Sequence, residues 1–191
     1  MLLSCIALFE KLFPGNSFLQ HYHVRHIRIR TKTLSCIIRK TNIIIMLYLI
    51  TGGERSGKSI YAQKLALELS EHPVYVATAR KWDGDFEKRI QKHQSERGEQ
   101  WNNIEEEKHI GNLDLKNKVV VIDCVTLWLT NFFTDTKYDI ETSLTQAKAE
   151  FDKIKSINGT FIFVANEIGM GVHAGTETGR KFVELQGWMN Q

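Results

Sequence analysis

Eight residues, Gly52-Gly-Glu-Arg-Ser-Gly-Lys-Ser59, narrow the possibilities for this chain more than any other feature. They match G-x-x-x-x-G-K-[ST] and stand in the setting that motif requires. A short apolar run, Leu47-Tyr-Leu-Ile-Thr51, precedes them. Residues 58–70 follow, with Ile60, Leu65, Leu67 and Leu69 among alanines, which predicts a helix. A loop of this kind wraps phosphate oxygens with backbone N–H groups, and its glycines allow the close approach and unusual dihedrals. The helix that starts near Gly57 adds the positive end of its dipole. Lys58 is expected to reach the terminal phosphates and Ser59 to help hold Mg²⁺. The expected nucleotide-binding residues here are Gly52, Gly53, Glu54, Arg55, Ser56, Gly57, Lys58, Ser59 and Ile60, with Lys58 catalytic. The competing reading, a chance glycine-rich turn, has to ignore the strand before the loop and the helix after it.

The rest of the chain alternates strand and helix signals. Val74-Tyr-Val-Ala-Thr78 is a second buried strand, residues 101–105 a short one, and Val119-Val-Val-Ile-Asp123 a third apolar run. Thr160-Phe-Ile-Phe-Val-Ala165 is a further strand. Helices are expected over residues 85–97, from Thr126 toward Phe133, over 138–157 and over 177–190. In the long one, Leu144, Ala147, Phe151 and Ile154 share a face. This alternation predicts an α/β fold with a mainly parallel sheet and helices on both faces. With the phosphate loop, that is a P-loop NTPase of RecA-like type.

A composition of 42% hydrophobic and 25% charged residues in a chain of 191 suits one ordinary globular domain with an appendage. The net charge of +3 is unevenly spread. Residues 1–45 carry seven Lys/Arg against one acid, and the remainder carries 18 against 21. The second part therefore has no basic bias of the kind that general nucleic-acid binding needs. The boundary falls near Met46. We expect residues 46–191 to be the nucleotide-binding domain and residues 1–45 to be a basic extension. That extension is either a targeting arm or a disordered segment not native to the domain, for example through an upstream start codon. Cys5, Cys36 and Cys124 match no zinc spacing and form no disulfide framework, and their odd number fits a reducing, cytoplasmic setting. Cys124, in an apolar run, is expected to pack as a small hydrophobe. No apolar stretch of about 18 residues exists, so no membrane span is expected.

Two features outside the loop suggest chemistry. Asp123 ends a buried strand, where an acid faces the crevice in which α/β proteins bind ligands. It is either a carboxylate near Mg²⁺ or the N-cap of the following helix. Arg89, His93 and Arg97 are spaced four apart and line one helix face. An imidazole nitrogen there could attack phosphorus, with guanidinium groups on phosphate oxygens. By pattern alone, the same stripe also reads as a solvated helix face. His72, His109 and His173 have no such company and read as structural or exposed.

Several segments, taken in order, resemble one family: Gly52-Gly-Glu-Arg-Ser-Gly-Lys-Ser59, Tyr75-Val-Ala-Thr-Ala79, Arg89-Ile-x-x-His93-x-x-x-Arg97, Asp123-Cys-Val-Thr-Leu-Trp-Leu-Thr-Asn131 and Asn166-Glu-Ile-Gly-Met-Gly171. The family is the bifunctional adenosylcobinamide kinase / adenosylcobinamide-phosphate guanylyltransferase of cobalamin assembly. The resemblance covers residues 46–191. It implies phosphorylation of adenosylcobinamide with ATP or GTP, followed by transfer of GMP from GTP to give adenosylcobinamide-GDP. It implies that His93 carries the GMP covalently. It also implies nucleotide contacts at Thr78, Ala79, Arg80, Gln94, Ser95, Glu96, Arg97, Glu105 and Asp123, with Ser59 and Asp123 holding Mg²⁺, and a homotrimer. Glu105 has the acceptors for the guanine N1 and N2 hydrogens, but a surface acid in a run of three reads equally well. In the family the chain continues past the final helix into another strand. Because this sequence stops at Gln191, the expectation is a fold shortened before its last strand. A P-loop small-molecule kinase without guanylyl transfer, and an inactive nucleotide-binding fragment, are the alternatives.

Overall fold

The computed structural model describes residues 45–80, 97–171 and 173–190. The basic extension and the polar segment expected to carry Arg89, His93, Gln94, Ser95 and Glu96 lie outside the described residues.

Among the described residues, five strands form one sheet: β1 (Ile45–Gly52), β2 (Val74–Ala77), β3 (Asn102–Glu105), β4 (Val119–Asp123) and β5 (Gly159–Asn166). Their order is β1-β5-β4-β2-β3, and every pairing is parallel. Four α-helices of the described residues accompany them: α1 (Lys58–Leu69), α2 (Val125–Asp135), α3 (Ile140–Ile154) and α4 (Glu177–Met189). A 3₁₀ turn, Ile110–Asn112, follows β3.

Both faces of the sheet's centre are covered, because β2, β4 and β5 are apolar on both sides. Val74 and Val76, Val120 and Ile122, and Phe161, Phe163 and Ala165 face one way. They pack on Val125, Trp128, Leu129 and Phe132 of α2 and on Ala147 and Ile154 of α3. Tyr75, Val121, Ile162 and Val164 face the other way, with Ile50, onto Ala62 and Ala66 of α1. Trp128 is the largest fully buried side chain among the described residues. Its indole N–H donates to Lys108 O at 2.9 Å, so its burial leaves no donor unpaired.

Where observed bounds differ from those expected, local chemistry explains the shift. The helix expected over 138–157 begins only at Ile140. Lys137 and Tyr138 have φ of 55° and 68°, and the Asp139 side chain caps the helix by accepting from Thr142 N at 2.8 Å. β1 starts two residues ahead of Leu47, and β5 gains a residue at each end, because their shared ladder runs from Ile45↔Gly159 to Gly52↔Asn166. Backbone pairing carried these strands past their apolar cores.

Candidate nucleotide site

An all-parallel sheet brings all of its strand carboxyl ends to one edge, where ligands bind. The phosphate loop leaves β1 at that edge, Asp123 ends β4, Thr78 follows β2, Glu105 ends β3 and Asn166 ends β5. With strands about 4.8 Å apart, the strand bearing the loop and the strand bearing Asp123 lie roughly 10 Å apart, with β5 between them.

The loop has the shape its composition predicts. Gly57 N-caps α1 at φ 84°, ψ 9°, a left-handed conformation that glycine adopts without strain. No side chain caps the helix, and no acid stands in its first turn. The N-terminal N–H groups therefore meet no competing carboxylate from this helix, as anion binding requires. A Cβ on Gly52 would come within 2.8 Å of Ser56 Oγ and 3.4 Å of Lys58 Cγ, so a larger first residue would displace both loop side chains. Arg55 sits at φ 56° and is exposed. Ser56 Oγ is buried in the loop without a hydrogen-bond partner. Lys58 Nζ folds back to donate to Gly53 O at 2.6 Å. Burial lowers the Lys58 pKa, and the charge of Asp123 opposes that shift. Lysine and aspartate therefore share one electrostatic site.

Asp123 is not the cap of α2. Cys124 holds that position, its Sγ accepting from Leu127 N at 3.4 Å. Cys124 is buried as expected, and burial pushes its thiol up to about 11. Asp123 instead accepts a hydrogen bond from Tyr75 Oη at 2.6 Å. Burial and the neighbouring carboxylate hold the Tyr75 phenol well above its usual pKa. Over the Tyr75 ring lies the Arg97 guanidinium, 3.7 Å from its centroid, with Nε donating to Asn103 Oδ1 at 2.6 Å. Arg97 is thus drawn into the wall behind Asp123.

The remaining expected contacts separate into two groups. Thr78 is fully buried, and its hydroxyl donates to Cys124 O at 2.8 Å while its carbonyl accepts from Asn131 Nδ2 at 2.8 Å. It ties the ends of β2 and α2 together, with its hydroxyl and its carbonyl both turned to protein partners. Arg80 pairs with Glu107 at 2.7 Å and, through both terminal nitrogens, with Asp135 at 2.8 and 3.2 Å. Lys108 joins at 2.5 Å from Asp135. Ala79, between Thr78 and Arg80 in the chain, is half-buried. The acidic run also resolves. Glu106 Oε1 accepts from Lys108 N and His109 N, and Glu107 holds Arg80, while Glu105 ends β3 exposed, in register with Ala77 and so with Asp123. His72, His109 and His173 are exposed.

Among the described residues, no three His, Cys, Asp or Glu side chains converge on a metal position. One carboxylate and one hydroxyl, Asp123 and Ser59, suit a Mg²⁺ that arrives on nucleotide phosphates and keeps much of its water. The orphaned Ser56 hydroxyl adds an unpaired polar atom inside the loop, so the residues fit such a guest.

The model of the cobinamide kinase / cobinamide phosphate guanyltransferase family matches residues 48–191. The chain belongs to that family. The bifunctional adenosylcobalamin biosynthesis protein CobP of Pseudomonas aeruginosa is 34% identical over 148 residues, which cover 75% of this chain and 84% of that protein. The corresponding CobU proteins of Escherichia coli and Salmonella typhimurium are 31% and 30% identical, covering 76% of this chain and 88% of theirs. Membership in this kinase / guanyltransferase family makes the chain an enzyme of the P-loop class and agrees with the fold. No helix among the described residues is long and apolar enough to cross a membrane.

Two residues of this family member were not singled out as site residues by the sequence reading. Tyr75 stands where an aliphatic residue would pack, and its hydroxyl was the clue. Asn166 ends the strand between the loop and Asp123, in register with Gly52, while its backbone N donates to Thr126 Oγ1 at 3.0 Å.

Proposed function

We propose that the chain catalyses two successive transfers on a corrinoid in cobalamin biosynthesis. It phosphorylates adenosylcobinamide with ATP or GTP, then transfers GMP from GTP through His93 to give adenosylcobinamide-GDP. The observation that carries this reading is the family match across the phosphate loop, joined to the shared electrostatic site of Lys58 and Asp123.

In the kinase step, the loop N–H groups and the positive end of α1 bind the phosphates, and Lys58 exchanges Gly53 O for phosphate oxygens. Ser59 and Asp123 would hold Mg²⁺, which supplies charge neutralisation when bound. The substrate hydroxyl displaces the nucleoside diphosphate from the γ-phosphorus. In the second step a neutral His93 nitrogen attacks the α-phosphorus of GTP, pyrophosphate leaves, and the cobinamide phosphate then displaces the imidazole. The Arg89-Ile-x-x-His93 segment supports that role by resemblance. A base at Glu105 requires GTP to lie extended across the strand ends, because β3 and β1 are the two ends of the strand order. We further infer a homotrimer, on the resemblance alone, and a cytoplasmic setting, on the cysteine usage.

Incubation with α-labelled GTP should leave an acid-labile, base-stable label on the protein. His93→Ala should abolish that label and the guanylyl transfer, while γ-labelled ATP still phosphorylates adenosylcobinamide. Covalent GMP retained in the variant would place the nucleophile elsewhere. Absence of any label from the unaltered chain would favour a kinase without guanylyl transfer.

A further inference from the structure

Tyr75 lies in the middle of a four-residue buried strand, flanked by Val74 and Val76, which pack on the opposite face. Packing alone would be served by phenylalanine, since burying a hydroxyl is costly unless it is bonded. The bond it makes runs across the β2–β4 ladder. Tyr75 is in register with Val121 and Ala77 with Asp123, so Tyr75 and Asp123 are diagonal neighbours on one face. Tyr75 Oη reaches Asp123 Oδ2 at 2.6 Å. The ring cannot easily swing away. Arg97 covers it at 3.7 Å, and Trp101 meets it edge-on at 5.9 Å and 84°. Tyr75, Trp101 and Arg97 are 6%, 7% and 8% exposed, so the clamp is itself buried.

We propose that Tyr75 is a positioning residue for Asp123, and that Arg97 and Trp101 hold it to that task. The inference rests on the reading of Asp123 as the carboxylate that holds Mg²⁺. A carboxylate at the end of a strand can rotate and, beside an ammonium, can turn to pair with it. The Tyr75 hydroxyl occupies Oδ2, fixes the plane of the group and leaves Oδ1 to face the ligand. It also keeps Asp123 from collapsing onto Lys58, which would withdraw both groups from the phosphates. Partners of this kind, one bond removed from a metal, are worth about 10- to 100-fold in metal affinity.

The test uses the full chain with a non-hydrolysable GTP analogue, titrated with Mn²⁺ and followed by its paramagnetic resonance signal. Tyr75→Phe keeps the ring, the stack with Arg97 and the edge contact with Trp101, and removes only the hydroxyl. Mn²⁺ affinity should fall about 10-fold, while affinity for the analogue without metal, and the melting temperature, stay at the unaltered protein's values. Arg97→Gln should lower Mn²⁺ affinity by a smaller factor, since the hydroxyl remains but its ring is released. Unchanged Mn²⁺ affinity in Tyr75→Phe overturns the proposal, and so does an equal loss of metal-free and metal-bound nucleotide. Asp123→Asn in the same assay separates the two ideas. If it leaves Mn²⁺ affinity intact, the metal role of Asp123 fails and the positioning role fails with it. If it abolishes Mn²⁺ binding while Tyr75→Phe changes nothing, the positioning role alone fails.

Discussion

At Lys58 two influences pull the ammonium in opposite directions. Burial lowers its pKa, and the charge of Asp123 opposes the loss. In the structure its Nζ is satisfied by Gly53 O, an acceptor that phosphate can replace. Lys58→Ala removes the charge without disturbing Gly57, whose left-handed φ shapes the turn. Both phosphoryl and guanylyl transfer should fall by about 100-fold or more, as when a preorganised electrostatic donor is lost. Steady-state rates of each half-reaction would check this, and an effect on one alone would mean that the two steps use separate phosphate sites. At this scale the motif anticipated the shape of the loop, with Gly57 left-handed at the start of α1, because phosphate chemistry restricts residue type and spacing together. It did not reveal that the Thr78 hydroxyl meets Cys124 O. Whether a hydroxyl faces a ligand or Cys124 O depends on which strand becomes its neighbour, and one strand's own sequence does not record that.

Strands and helices were legible wherever apolar periodicity was strong, as in Val119–Asp123 and Gly159–Asn166. The bounds went astray where turns decided them, as at Asp139. The links between elements were less visible still. Arg80 beyond β2, Glu107 and Lys108 beyond β3, and Asp135 at the end of α2 come from three separate segments. Hydrogen bonds from Arg80 and Lys108 hold the Asp135 carboxyl well below the usual carboxylate range. Because its folded pKa is depressed, its stabilising effect is full above the unfolded value of about 4 and is lost as pH falls toward the folded one. Asp135→Asn should therefore lower the melting temperature at pH 7, and by a shrinking margin as pH falls from about 4 toward 2. Thermal unfolding across that range would test this, and an equal loss at both ends would mean that packing, not charge, is at stake. Asp135 is about one-third exposed, so solvent screening keeps the effect modest.

For the whole molecule, the alternation of elements sufficed to expect a parallel sheet with covered faces, because that is how strands apolar on both sides are buried. Strand order was not legible, since it depends on crossovers that composition leaves open. The basic extension offers a further test. A chain begun at Asn42 keeps all of β1, including Ile45 opposite Gly159, and should bind GTP as the full chain does. Loss of folding on that deletion would make the extension part of the domain.

The place of β1 in the sheet has a consequence for how the molecule is made. Its only strand neighbour among the described residues is β5, more than a hundred residues later in the chain. Synthesis delivers the phosphate loop before any other described part of the site, yet the strand beneath it has nothing to pair with until residues 159–166 have emerged. Pairings this distant in sequence form slowly and late, and an unpaired apolar strand is exposed to aggregation meanwhile. A nascent chain should therefore gain affinity for nucleotide abruptly, once β5 has been added, rather than when the loop itself is complete.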